Sequence, residues 1–194
     1  MKKRRTLIIS LLLVAALCLG IGYAALSRDL QINGSANLQG NNEVFDIAFI
    51  SGSITDSEMK DDTKSPATVS VTEGSTTASY TIDGLAAEND TVEMTFVVKN
   101  STTDVVAHLT GITSTNGELK VTTPNGDVDG SYADYFSKSI KVLNAAGTEY
   151  VQGQDFVVNP GEEARVIITV TLNQSITNPV SATSFVTLHF SGTN

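Results

Sequence analysis

The segment Asn125-Gly126-Asp127-Val128-Asp129-Gly130 carries side-chain oxygens at alternating positions and a glycine in sixth place, like the opening of a calcium-binding loop. Asn125, Asp127 and Asp129 are the candidate ligands, and Asp134 can add a further oxygen. Calcium is a hard cation that takes oxygen donors, which is why carboxylates and a carboxamide at this spacing suit it. The match is incomplete. The first position is Asn rather than Asp, and the twelfth, which calls for a bidentate Glu, is Phe136. The same residues also read as a pair of tight turns, because Asn and Asp tolerate left-handed backbone. Calcium is therefore the one cofactor the chain suggests, and the expectation is that it needs none.

Other chemistry is sparse. There are two histidines, His108 and His189, each alternating with apolar residues and so expected on the outer face of a strand. No HExxH helix accompanies them, and no G-x-S-x-G elbow marks a nucleophile. The single cysteine, Cys18, excludes an internal disulfide and a cysteine-based zinc site. Tyr132 and Tyr135 read either as a binding loop or as cover for an edge of the core. Asn33, Asn89, Asn100 and Asn173 each begin an Asn-x-Ser/Thr pattern, which chance explains in a chain this rich in Ser and Thr. These features lead to the expectation of a non-enzyme.

The elements that would position such residues are strands. From Asp29 onward apolar residues recur with period two, and no helical period is sustained. Leu30 to Leu38, Val44 to Ile50, Ala67 to Val71, Ala78 to Leu85, Thr91 to Lys99, Val105 to Ile112, Glu118 to Thr122, Ile140 to Leu143, Glu163 to Leu172 and Thr183 to Phe190 are the candidates. Their Thr, Val and Ile content suits a pleated, half-buried surface. Val92, Met94, Phe96 and Val98 share one face, as do Val166, Ile168, Val170 and Leu172, and these faces are the expected core. Turn signals separate the runs: Asn33-Gly34, Asp83-Gly84, Asn116-Gly117, Asn125-Gly126, Asp129-Gly130 and Asn159-Pro160-Gly161. Ser51 to Ser65 is polar and weakly patterned and reads as a long surface loop. Ser131 to Ser137 reads as one helical turn or a loop. The fold class expected is all-β, an antiparallel β-sandwich of Ig-like or jelly-roll type.

The N-terminus has a different character. Lys2, Lys3, Arg4 and Arg5 precede an uncharged apolar stretch from Thr6 to Gly22, followed by Gly22-Tyr23-Ala24. A basic region, an apolar core and small residues at the end make a secretory signal peptide, with cleavage expected between Ala24 and Ala25. Residues 1–24 are then a signal-peptide helix, and 25–194 a single β-sandwich domain. The apolar stretch is short for a bilayer span, so the membrane is expected to be met only through this segment, with an uncleaved anchor as the alternative to a cleaved signal peptide. The chain of 194 residues has a formal charge of −9, and without the four N-terminal bases eight bases face 21 acids. That balance argues against nucleic-acid binding, which requires a basic footprint.

Gly20-Ile-Gly-Tyr-Ala-Ala-Leu-Ser27 resembles the signal-peptide end of Gram-positive exported proteins processed by the SipW type of signal peptidase. The strand from Leu30 to Leu38 is similar to theirs. So are Thr91-Val-Glu-Met-Thr-Phe-Val-Val-Lys-Asn100 with Asp104-Val-Val-Ala-His-Leu109, and the Pro-Gly-Glu turn and strand from Asn159 to Leu172. On these residues the chain resembles the TasA and camelysin family of biofilm-matrix proteins. The resemblance implies a jelly-roll or Ig-like sandwich, secretion to the cell surface, and self-association or association with other matrix proteins, with signal peptidase as a partner during export. Camelysin's metalloprotease description is not carried over, because no zinc motif matches. The expected function is a secreted structural surface or matrix protein assembling into fibres by strand donation. The alternative is an extracellular Ig-like module recognising a glycan or protein through its loops.

Overall fold

The computed structural model describes residues 27–32, 45–61, 65–82, 84–123, 126–177 and 180–193. They form β1 (Ser27–Ile32), β2 (Ile47–Glu58), β3 (Ala67–Val71), β4 (Thr77–Ile82), β5 (Thr91–Asn100), β6 (Val106–Thr123) and β7 (Gly126–Gly130). A single helical turn, α1 (Tyr132–Tyr135), leads into β8 (Phe136–Leu143), β9 (Val157–Val158), β10 (Glu163–Leu172) and β11 (Val180–Thr193). The described chain is all-β and its strands lie in two sheets. One has the order β3-β4-β1-β11-β6-β7, with β9 also on β6; the other has the order β2-β5-β10-β8. Pairing is antiparallel except between β1 and β4, where Gln31 faces Thr77 and Ile32 faces Ala78 in parallel.

Burial follows the period-two pattern. Along β5, Val92, Met94, Phe96 and Val98 are inaccessible while their neighbours are half-buried, and β10 repeats this with Val166, Ile168, Val170 and Leu172. These rows join Val186, Leu188 and Phe190 of β11 and Ala107 and Leu109 of β6 in one hydrophobic core to which both sheets contribute. Each fully buried aliphatic or aromatic side chain contributes about 1.5–3 kcal/mol of transfer free energy. Tyr80 of β4 packs on Phe96 of β5 across the two sheets, with ring centroids 6.4 Å apart. The Asn159-Pro160-Gly161-Glu162 turn closes with Glu162 N–H on Asn159 C=O, and Gly161 takes the φ of 79° that the third position of such a turn requires.

Several local expectations are corrected. Ser51 to Ser65 is not a long loop: β2 runs to Glu58, paired with β5 from Ile47↔Asn100 to Glu58↔Thr91. The far half of β2 is solvent-exposed, so no apolar alternation marks it. Backbone pairing and side-chain contacts such as Thr55 Oγ1 to Glu93 Oε1 at 3.0 Å hold it instead. Gly52 turns towards the core, where a Cβ would stand 2.8 Å from Val69 and Val71 and 2.9 Å from Phe96.

Asn116-Gly117 is not a turn between two strands. Asn116 pairs with Ser184 and Leu119 with Ala182, so Gly117 and Glu118 stand opposite Thr183 alone. The Asn-Gly signal marks a bulge inside the long strand β6. Asp129-Gly130 is likewise no turn but the end of β7. Ile140 to Leu143 is the second half of the longer β8. Of the Leu30–Leu38 strand, residues 33–38 lie outside the described residues.

Candidate functional site

The described calcium candidates fall on two elements, β7 and α1. Asn125 lies outside the described residues. Asp127 and Asp129 belong to β7, whose residues pair one for one with β6 from Leu119↔Gly130 to Thr123↔Gly126. That is an extended strand, not a chain wrapped around an ion. Asp134 is exposed on α1. Among the described residues no group of three His, Cys, Asp or Glu side chains could hold a metal ion.

Both histidines occupy outward strand positions, as their alternation indicates, and each is engaged. His189 Nε2 lies 3.1 Å from Thr113 Oγ1. His108 of β6 forms a three-residue chain that sequence reasoning did not reach. Its Nδ1 is 2.8 Å from Asp155 Oδ1 and its Nε2 is 2.8 Å from Thr193 Oγ1. With Asp155 ionised, Nδ1 carries the proton and Nε2 accepts from the threonine hydroxyl, the order of groups that activates a hydroxyl nucleophile. The Asp155 side chain is 75% exposed, so water competes for it and the coupling along the chain is weak. Asp155 sits in a loop and Thr193 at the end of β11, too distant along the chain for any spacing to reveal them.

A second cluster lies between the sheets. Lys138 of β8 pairs with Val170, which is fully buried, so both side chains point inward. Its ammonium donates to Ser184 Oγ and, at 3.3 Å, to Asn116 Oδ1, and it stands 5.7 Å from the centre of the Tyr132 ring. Burial lowers its pKa to about 8. Tyr132 is buried against Phe136 and covers this end of the core, and its phenol is pushed up by burial. Burial raises the Tyr80 phenol as well. Tyr80 Oη is buried without completing a hydrogen bond among the described residues.

Two further buried polar groups are structural. Asp90, 4% exposed, accepts backbone N–H bonds from Ala86 and Ala87 at 2.9 Å and from Lys60 at 3.0 Å, clasping two loops together. Burial pushes its carboxyl up, but these donors outweigh burial and hold it below the usual carboxylate range. Because that pKa is lower folded than unfolded, Asp90 contributes stability that is present above the unfolded value, about 3.9, and is lost as pH falls through the folded one. Asp90→Asn should therefore lower stability at neutral pH and flatten its decline on acidification. Denaturant titrations from neutral into acid pH measure both effects, and parallel curves for the two proteins would contradict the assignment. Asn100 is fully buried, which removes it as a glycan acceptor in the folded chain.

Residues 1–26, including Ala24 and Ala25, lie outside the described residues. Among those described, no helix is long and apolar enough to cross a membrane. What the fold defines is an all-β protein of two predominantly antiparallel sheets around a common core. No family model, curated protein or solved structure matches the chain.

Proposed function

We propose that this chain is an exported structural protein of a bacterial cell surface or extracellular matrix, cleaved between Ala24 and Ala25, and that its copies assemble by exchanging β1. On this reading the two sheets form a sandwich of Ig-like or jelly-roll type. The observation that carries it is the seat of β1. Ser27 to Ile32 pair with Ser191 to Val186 of β11 on one side, and Gln31 and Ile32 touch β4 on the other. β1 is paired with β11 along its whole length and with β4 at Gln31 and Ile32, so its removal opens a slot beside β11 that β4 bounds at one end. The strand begins two residues after the expected cleavage point, so processing would free its leading end. In a monomer the slot takes its own strand. In an assembly it takes a neighbour's in the same register, and head-to-tail repetition of that contact does not close, which gives a filament. The resemblance to the TasA and camelysin family supports the same reading by analogy.

The test compares the processed chain with one lacking Ala25 to Leu38, by size-exclusion chromatography and negative-stain microscopy. The processed chain is expected to form filaments. The truncated chain is expected to remain small and to bind an added peptide of residues 25–38. A processed chain that stays monomeric at high concentration across pH and salt defeats the assembly reading. A truncated chain that still polymerises defeats strand exchange while leaving assembly standing.

A further inference from the structure

A lysine at an inward position of a β-sheet is costly unless something uses it, because burial disfavours the ammonium. Lys138 enters the space between the sheets from β8 and meets neutral groups there: the Ser184 hydroxyl, the Asn116 carboxamide and the face of Tyr132. Asn116 and Ser184 stand directly opposite each other on β6 and β11. The lysine of one sheet thus reaches a cross-strand pair of the other. Its lowered pKa leaves an appreciable share of neutral amine near neutral pH, the form of lysine that acts as a nucleophile. The electrophile beside it is Cγ of Asn116, one bond from the Oδ1 that accepts from Nζ at 3.3 Å, so the hydrogen bond keeps the carboxamide close to the amine and a turn of the side chain would present Cγ to it.

We propose that Lys138 and Asn116 join in an intramolecular amide cross-link that ties the two sheets together. The Nζ lone pair attacks Cγ of Asn116, forming the Nζ–Cγ bond, and the carbonyl electrons move onto Oδ1. A proton passes from Nζ to Nδ2, relayed by the Ser184 hydroxyl at the amine. The carbonyl re-forms as the Cγ–Nδ2 bond breaks, and ammonia leaves. Atoms and electrons balance with no oxidant, cofactor or second substrate. Asn116 is exposed, so ammonia departs directly to water. The cross-link is independent of strand exchange, since it lies within one chain.

Intact mass spectrometry of the purified, folded chain, with its N-terminus sequenced, tests the proposal. The expected mass lacks one ammonia, and a protease digest yields a branched peptide joining the segments that contain Lys138 and Asn116. Lys138→Arg and Asn116→Ala should both restore the unlinked peptides, and Ser184→Ala should slow the loss of ammonia. The Asn116-Gly117 dipeptide has a competing reaction, closure to a succinimide, which also releases ammonia. Ammonia loss that persists in Lys138→Arg with no branched peptide assigns the reaction to that closure and overturns the proposal. A wild-type chain of full mass after prolonged incubation at mildly alkaline pH overturns it as well. The wild-type digest decides the matter even if a variant fails to fold.

Discussion

Phe96→Ala should destabilise the protein by about 3–5 kcal/mol, the range for emptying an aromatic site in a packed core. Phe96 is inaccessible at the centre of β5. It meets Phe49 edge-on at 6.2 Å within its own sheet and Tyr80 of the facing sheet at 6.4 Å. Val69 and Val71 close the space above Gly52 on the same side. Because both sheets supply the walls, neither can collapse into the void without separating from its neighbours, so the cavity term adds to the lost transfer energy. Denaturant unfolding of the variant measures the effect, with exposed Ser139→Ala as a control expected to stay within about 0.5 kcal/mol. A Phe96→Ala loss no larger than the control's would mean the inward face of β5 is wrongly assigned.

Asn100→Asp should be nearly as damaging, with no change in side-chain volume. Asn100 ends β5 fully buried. Its Nδ2 donates to Val105 C=O and Val158 C=O, both at 2.9 Å, and its Oδ1 accepts from Thr102 Oγ1 at 2.6 Å and Thr102 N–H at 3.2 Å. One carboxamide thereby stitches the end of β5 to the start of β6 and to β9. A carboxylate in its place turns two donated bonds into contacts between oxygens and buries an unpaired charge, which costs about 3–5 kcal/mol. The defect should shrink as pH falls, because the protonated acid carries no charge. Stability measured at neutral and acid pH checks both the size and the sign. A penalty equal at both pH values would show that charge is not its source.

Some of this architecture is legible along the chain, for a physical reason. In a strand buried on one face, successive side chains must alternate between core and solvent, so β5, β10 and the core-facing half of β11 announce themselves through Val, Ile, Met, Leu and Phe at every second place. The Pro-Gly turn before β10 is equally local, since its backbone angles are written in two residues.

Where burial does not impose alternation, the pattern disappears. The exposed half of β2 reads as loop because its stability comes from backbone pairing with β5, a partner distant in sequence. Asn116-Gly117 and Asp129-Gly130 carry turn chemistry, yet pairing with β11 and β6 draws both into strands. Asp127 and Asp129 lie along β7, where pairing with β6 rather than local turn chemistry sets the backbone.

The strand class of the chain, the faces that form its core and the outward placement of His108 and His189 follow from residues one or two positions apart, and so are legible locally. That Asp155 and Thr193 meet His108, and that Lys138 turns inward to reach Asn116 and Ser184, follows from the packing of the sheets. So does the place of β1 between β11 and β4. These are contacts between strands far apart in the chain, fixed by sheet order and register, and no local spacing encodes which strand becomes another's neighbour.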